Sequence, residues 1–464
     1  MFLRLILFSV INFCARIVFA EKNDANDGIE IWIGSFGTSA PASQPYSSEA
    51  AYRMAVDDLA SRINHTFTFK LSFLYGRPAT TIQLDCQYRS DDADYVLSQW
   101  YYGRQALSLS QPSLTGLIQD GCFDGSTIHS LAAQWNILSL TSVASQRDPK
   151  DTINSGPTSF FLGSVSIAAY VRALMTFFKR FNFDSVYLLL DIMSPGVYGG
   201  VFDEISITSE ANRPRNLIKT RVAITESTPL TPFLLIFTRI SRASSNSSGL
   251  GYEQVYLAVE PMQAPQRFGL MDWRYNLSDD EQARRAYRSL LVIQPLTLGS
   301  VENNHSTTKL TEFQDRLSRY NTTRPNDMTE ISRDCYATAM LFGQIMMESH
   351  DNGMALTDGQ AMAKKMRNRT FHLGDYVGDI FIDSYGQRTP DVLIAHFEGR
   401  STTPKASFVL LANSSVSGLR QIYAVEWSDK TLWPPPNQPL CGYNGEAYCG
   451  LASKFLNGFH SNYS

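Results

Sequence analysis

The side chains of this 464-residue chain best suited to chemistry are its seven histidines, its six cysteines and adjacent carboxylates such as Asp57/Asp58, Asp91/Asp92 and Asp279/Asp280. An imidazole holds a metal or moves a proton only with a second ligand or base at a fixed offset, as in H-E-x-x-H. His65, His129, His305, His350, His372, His396 and His460 are scattered without such spacing. The carboxylate pairs fall in or beside helical patterns, where a solvated face or charge at a helix N-terminus accounts for them. Neither G-x-S-x-G, G-x-x-x-x-G-K, G-x-G-x-x-G nor C-x-x-C occurs. Nucleophile-elbow, phosphate-loop, dinucleotide and dithiol chemistry thus have no motif to rest on, and the expectation is a binding protein with no catalytic residues, no metal and no cofactor.

The cysteines depend on the compartment. Residues 1–20, MFLRLILFSVINFCARIVFA, combine Arg4, an apolar run and a Val-Phe-Ala end, the pattern of a signal peptide cleaved before Glu21. Asn-x-Ser/Thr sequons at Asn64, Asn246, Asn276, Asn304, Asn321, Asn368, Asn413 and Asn462 agree with a secretory, extracellular or cell-surface address and mark those positions as surface. Cleavage leaves Cys86, Cys122, Cys335, Cys441 and Cys449, an odd number, so one thiol stays unbridged or pairs between chains. A formal net charge of −4 without Lys/Arg runs excludes an electrostatic footprint for nucleic acid or an anionic membrane. No segment after the signal has the roughly 20 apolar residues of a membrane helix.

Positioning elements come next. Apolar alternation at Ile29–Phe36, Phe67–Tyr75, Leu114–Gln119 and Ile137–Ser142 predicts strands. Between them, residues 47–63, with a Ser47/Ser48 cap, and residues 93–107 and 126–135 carry helical spacing. The alternation restarts with a helix over 166–181 and strands at 185–191, 220–224, 254–259 and 289–296. Two helices follow, over 334–349 and 358–368, then strands 378–384 and 391–397 paired around a Tyr385-Gly386 turn. Strands separated by helices imply parallel sheets built from βαβ units. About 440 mature residues exceed one core, so two α/β lobes joined by several crossings are expected.

Ligand contacts in open α/β sheets gather at the carboxyl ends of strands. Those ends nominate Thr38, Ser39, Gly121, Cys122, Phe123, Thr141, Ser142 and Tyr198 as cleft residues, although caps and turns account for any one of them alone.

Four segments carry a family resemblance. These are DCQYRSDDADYVLSQW with DGCFDGSTIHSLAAQWNILSLTSVAS; GPTSFFLGSVSIAAYVRALMTFFKRFNFDSVYLL; FHLGDYVGDIFIDSYGQRTPDVLIAHF; and PPPNQPLCGYNGEAYC. Together they resemble the ligand-binding ectodomain of the natriuretic peptide receptor and receptor guanylate cyclase family, of nematode type, a type I periplasmic-binding-protein-like fold. Ile137-Leu138 stands where the family has a proline, and Phe183 where it has Trp. The resemblance implies a ligand-binding region over 21–440, with lobe one near 28–157 and 300–372, lobe two near 158–299 and 373–432, and a juxtamembrane-like stalk over 433–464. It implies a peptide or small-molecule ligand, a homodimer that signals by rearrangement, and a membrane helix and cyclase beyond this chain. The alternative is a secreted soluble binding protein or decoy without a signalling module.

The resemblance also pairs Cys86 with Cys122, a bridge closing a loop of about 36 residues and contributing about 4 kcal/mol by chain entropy. Cys335 then remains as the odd thiol. Cys441 and Cys449 either bridge locally across GYNGEAY or bond across a dimer. The family's chloride site implies an anion at Gly121–Cys122, but Gln119-Asp120 replaces the usual Gly-Pro and the Asp120 carboxylate would repel it. Between Arg242 and Gln254 only ASSNSSGLGYE intervenes, too little for the βα unit the family places there.

Overall fold

The computed structural model describes residues 29–38, 45–62, 67–76, 93–107, 114–119, 126–142, 156–183, 185–191, 196–209, 216–222, 255–260, 272–274, 276, 278, 280–296, 304–320, 329–412, 418–427 and 433–435. The cysteines at 86, 122, 441 and 449, the short 243–254 segment and sequons Asn64, Asn246, Asn321, Asn413 and Asn462 lie outside them.

The first sheet holds five strands: β1 (Ile29–Thr38), β2 (Phe67–Gly76), β3 (Leu114–Gln119), β4 (Ser139–Thr141) and β5 (Ser159–Phe161). Their order is β2-β1-β3-β4-β5 and every pairing is parallel, as the alternation of strand and helix requires. Helices α1 (Pro45–Arg62), α2 (Ala93–Leu107) and α3 (Ser126–Gln134) make the crossovers. The period-2 pleat sends side chains to opposite faces. Ile31, Ile33 and Ile118 enter a core shared with α1, whereas Leu117 joins Leu97, Ile128 and Ala132 against α2 and α3. The expected cap at Ser47/Ser48 is displaced, because α1 starts at Pro45, whose ring fits a first helical turn, and Ser48 is buried inside the helix.

The first core is completed from far along the chain by α7 (Asn304–Ser318), α8 (Thr329–Asp351) and α9 (Gly359–Met366). An antiparallel sheet of β10 (Arg369–His372), β11 (Asp379–Ile382) and β12 (Arg388–Thr389) packs on it through Phe371, Ile380 and Ile382. Phe160, Leu162, Ile380 and Ile382 all sit in this core, so it reaches beyond the boundaries expected near 157 and 372.

The second core joins α4 (Ile167–Arg180) and α5 (Gly196–Ser209) to β9 (Leu290–Pro295), β13 (Val392–His396) and β14 (Lys405–Leu410). Ser166 caps α4, its Oγ accepting from the Ala169 N–H. Phe177 lies at the centre, stacked on Phe183 and tilted against Phe181 and Trp433. The sheet order is β15-β14-β13-β9-β8, with β8 (Tyr256–Val259) and β15 (Arg420–Gln421) at the edges. Only the β8–β9 pairing is parallel, so this sheet is mixed. A separate parallel pair, β6 (Ser185–Asp191) and β7 (Asn216–Val222), has no ladder to β8 among the described residues. Helix α6 (Asp280–Tyr287) precedes β9.

One strand expectation is corrected. Residues 378–384 and 391–397 do not pair with each other: β11 turns through Gly386, at φ +81°, to pair with β12, while β13 leaves to join β9 and β14. Pro390 explains the break, because it offers no N–H to continue a ladder.

Candidate functional site

Two strands cross between the cores side by side. Beyond β5 the chain passes Leu162–Ser166 into α4, and beyond β12 it passes Pro390 into β13. Phe161 and Gln387 form a parallel bridge, and the Phe161 N–H donates to the Gly386 carbonyl at 2.9 Å.

Asp334, in the second turn of α8, ties both crossings down. Its Oδ2 accepts from the Ser164 N–H at 2.8 Å and the Ser164 hydroxyl at 2.7 Å. Its Oδ1 faces Arg388 Nη1 at 2.8 Å, and the same nitrogen reaches the Leu162 carbonyl at 3.2 Å. The two side chains are only 8% and 11% exposed, so each charge depends on the other and on these hydrogen bonds for its solvation. Burial pushes the Asp334 carboxyl up, against the pull of Arg388 and Ser164. Its neighbour Arg333 is also buried; its Nε donates to the Tyr376 carbonyl at 3.0 Å, and burial lowers its pKa to about 10.

The nominated residues divide. Thr141 and Ser142 are buried: the Thr141 hydroxyl donates to Gln119 Oε1 at 3.3 Å and the Ser142 hydroxyl to the Gln119 carbonyl at 3.1 Å. Cys335 is a buried thiol whose Sγ donates to Ser142 Oγ at 3.3 Å, which links the end of β4 to the residue after Asp334. Tyr198, in the first turn of α5, is half-buried, and its hydroxyl is raised by burial and then by Glu260. The Thr38 backbone closes β1, while Ser39, Gly121, Cys122 and Phe123 lie outside the described residues, and with them the anion position.

The charged groups at the crossings were not nominated. Glu260 follows β8 of the second lobe, and its carboxyl is raised by burial and then by Glu330 in the first turn of α8 of the first lobe. Glu330 is itself raised by burial. Tyr170 of α4 is raised by burial, with Asp334, Tyr198 and Glu330 adding to it. Burial is the first cause of each of these shifts, and like charge across the two lobes adds to it. A signal existed: Asp334 lies on the same helical face as Thr338 and Leu341, both buried, and an acid on an apolar stripe must find a partner.

A recess of about 370 Å³ lies elsewhere, among α1, α7, α8 and the turn between β10 and β11, lined by Asp58, Arg62, Lys309, Arg316, Tyr336 and Tyr376. Most of its charges are paired with one another, Asp58 with Arg316 and Lys309 with Glu312 and Asp375, which makes it a joint between elements. Of the histidines, His129 meets Ser139 Oγ at 3.3 Å, and buried His396 meets the Arg288 carbonyl at 2.8 Å with burial lowering its pKa. Among the described residues no three His, Cys, Asp or Glu side chains group to hold a metal, and no helix is long and apolar enough to cross a membrane.

The architecture is α/β, with a parallel sheet flanked by helices and a second lobe reached by strand crossings. No family model matches the sequence, and no curated protein matches it. Among solved structures the chain is similar to a branched chain amino acid ABC transporter periplasmic ligand-binding protein from Burkholderia xenovorans, with a TM-score of 0.48 and 11% identity over 82% of this chain and 95% of that one.

Proposed function

We propose that the chain is the extracellular ligand-binding region of a cell-surface receptor resembling receptor guanylate cyclases, with a type I periplasmic-binding-protein-like fold. The observation that carries this reading is the pair of helix-flanked cores joined by two strands that cross side by side, with Glu260 of one lobe and Glu330 of the other both half-buried and their carboxyls raised by burial. Half-buried polar groups contributed by two bodies suit a ligand enclosed between them. Binding a peptide or small molecule would change the angle between lobes, and a homodimer would convert that change into a signal. The secretory address accords with two of the three sequons among the described residues: Asn276 and Asn368 are exposed, both at positive φ, while Asn304 begins α7.

The test is thermal: secreted chain is screened by differential scanning fluorimetry against peptide and metabolite sets, since a ligand at a hundred times its Kd stabilises by about 2.7 kcal/mol. A hit whose shift is lost in Glu260→Ala and Glu330→Ala supports the reading; a hit indifferent to both moves the site elsewhere. Retention of the chain inside the expressing eukaryotic cell, with its mass unchanged by glycosidase, would count against the extracellular address. Sequencing the transcript past the Ser464 codon separates a receptor from a soluble binding protein.

A further inference from the structure

We infer that Asp334, Arg388 and Ser164 form a clamp that holds these two crossing strands to the first lobe, and that on these two crossings movement between lobes is confined to the short steps just beyond it; the third passage, from β9 to α7 through 297–303, lies outside the described residues. On one crossing, Leu162 belongs to the first core and Ser164 is bound to Asp334, whereas Val165 packs on the second core and Ser166 caps α4. On the other, Gln387 bridges Phe161 and Arg388 is bound to Asp334, whereas the Asp391 carbonyl accepts from the Leu296 N–H and its Oδ1 from the Ala412 N–H, both in the second lobe. The change of allegiance therefore falls between Ser164 and Val165 and across Thr389–Pro390. Pro390 has a fixed φ and no N–H, so the second step has a single soft residue beside it.

A carboxylate carries this duty because of its reach. One Asp334 side chain accepts from a backbone N–H and a hydroxyl on the first crossing and from a guanidinium on the second, so neither strand can shift alone. The Arg388 donation to the Leu162 carbonyl closes the loop between the crossings. Burial makes loosening costly, because a freed charge would stay desolvated. The clamp would thus set the resting angle and breadth of the lobe equilibrium. This rests on the two-lobed binding reading, but its test adds no ligand, so failure to find a ligand leaves the result intact.

Fluorophores are introduced as noncanonical amino acids at Tyr102 and Ile207, exposed positions in the first and second lobes, and single-molecule energy transfer reads the interlobe distance. Ser164→Ala should broaden and shift the distribution while unfolding stays cooperative. Thr176→Ala, which removes a hydroxyl bond to the Arg172 carbonyl within α4, should leave it unchanged. If Arg388→Gln fails to fold, the neutral pair Asp334→Asn with Arg388→Gln replaces it and should fold with a broadened distribution. Folded clamp variants with the wild-type distribution overturn the inference, as does equal broadening by Thr176→Ala.

Discussion

Asp58 and Arg316 meet as a bidentate pair, Nη2 to Oδ1 at 2.6 Å and Nη1 to Oδ2 at 3.1 Å, and the Tyr336 hydroxyl donates to the same carboxylate at 2.7 Å. One side chain thereby joins α1 to α7 and α8, whose partners lie 258 and 278 positions further along the chain. The pair is partly exposed, so its value lies in geometry more than in Coulomb energy. Asp58→Ala should destabilise by about 2 kcal/mol, since it strands a guanidinium and a phenol. Arg316→Lys, which keeps charge but loses the fork, should cost less. Urea unfolding measures both; equal costs would show that only charge matters.

Glu260 supplies a pH prediction. Its carboxyl is raised by burial and by Glu330, so the folded chain holds that proton more tightly than the unfolded chain does. The stability linked to this proton is full below the unfolded pKa and is lost as pH rises through the folded one. Glu260→Gln should therefore melt above the wild type near neutral pH, and the two should converge in acid. Glu330→Gln should act likewise, and the double variant should gain less than the sum, because each removal relieves the other group. Calorimetry across the acid range decides; a difference that grew toward low pH would reverse the sign.

Gly116 in β3 faces Phe342 of α8 so closely that an added Cβ would lie 2.2 Å from the ring. Gly116→Ala should cost about 1–3 kcal/mol by overpacking. Combining it with Phe342→Leu should recover part of that loss, a coupling that thermal melts of the single and double variants would measure.

Trp433 lies 5.1 Å from Phe181 and 4.9 Å from Trp427, so the chain leaving the second lobe is seated on that lobe's aromatic cluster. Trp433→Ala should lower stability by roughly 2–3 kcal/mol, less than a fully buried Trp because the side chain is only partly buried. Limited proteolysis should then cut near 433 faster than in the wild type; an unchanged rate would mean the seat does not hold that segment.

Cys335 is fully buried against Ser142, so it should resist alkylation in the folded chain and react only after unfolding. Peptide mapping with iodoacetamide, with and without denaturant, checks this; ready labelling of native protein would contradict its burial.

Periodicity by itself determined most elements of the first lobe. Leu114–Gln119 and Ala93–Leu107 fall where alternation and helical spacing put them, because a residue's side-chain direction is a local property of the backbone. It also determined the α/β class and the need for more than one core. What it did not contain was partnership. Residues 378–384 and 391–397 read as one hairpin, yet Pro390 and the second core draw β13 away. Helix α5 was not recognised, since Gly196, Gly199 and Gly200 depress its helical signal and packing of Val201 and Ile205 on the second core compensates. The site followed the same division. Thr141 and Ser142 could be named from a strand end, but their hydroxyls turn inward to Gln119. Asp334, Ser164 and Arg388 act as one group only when residues up to 170 positions apart are brought within about 3 Å. Such meetings are decided by tertiary packing, which alone selects among the many partners a buried charge could have.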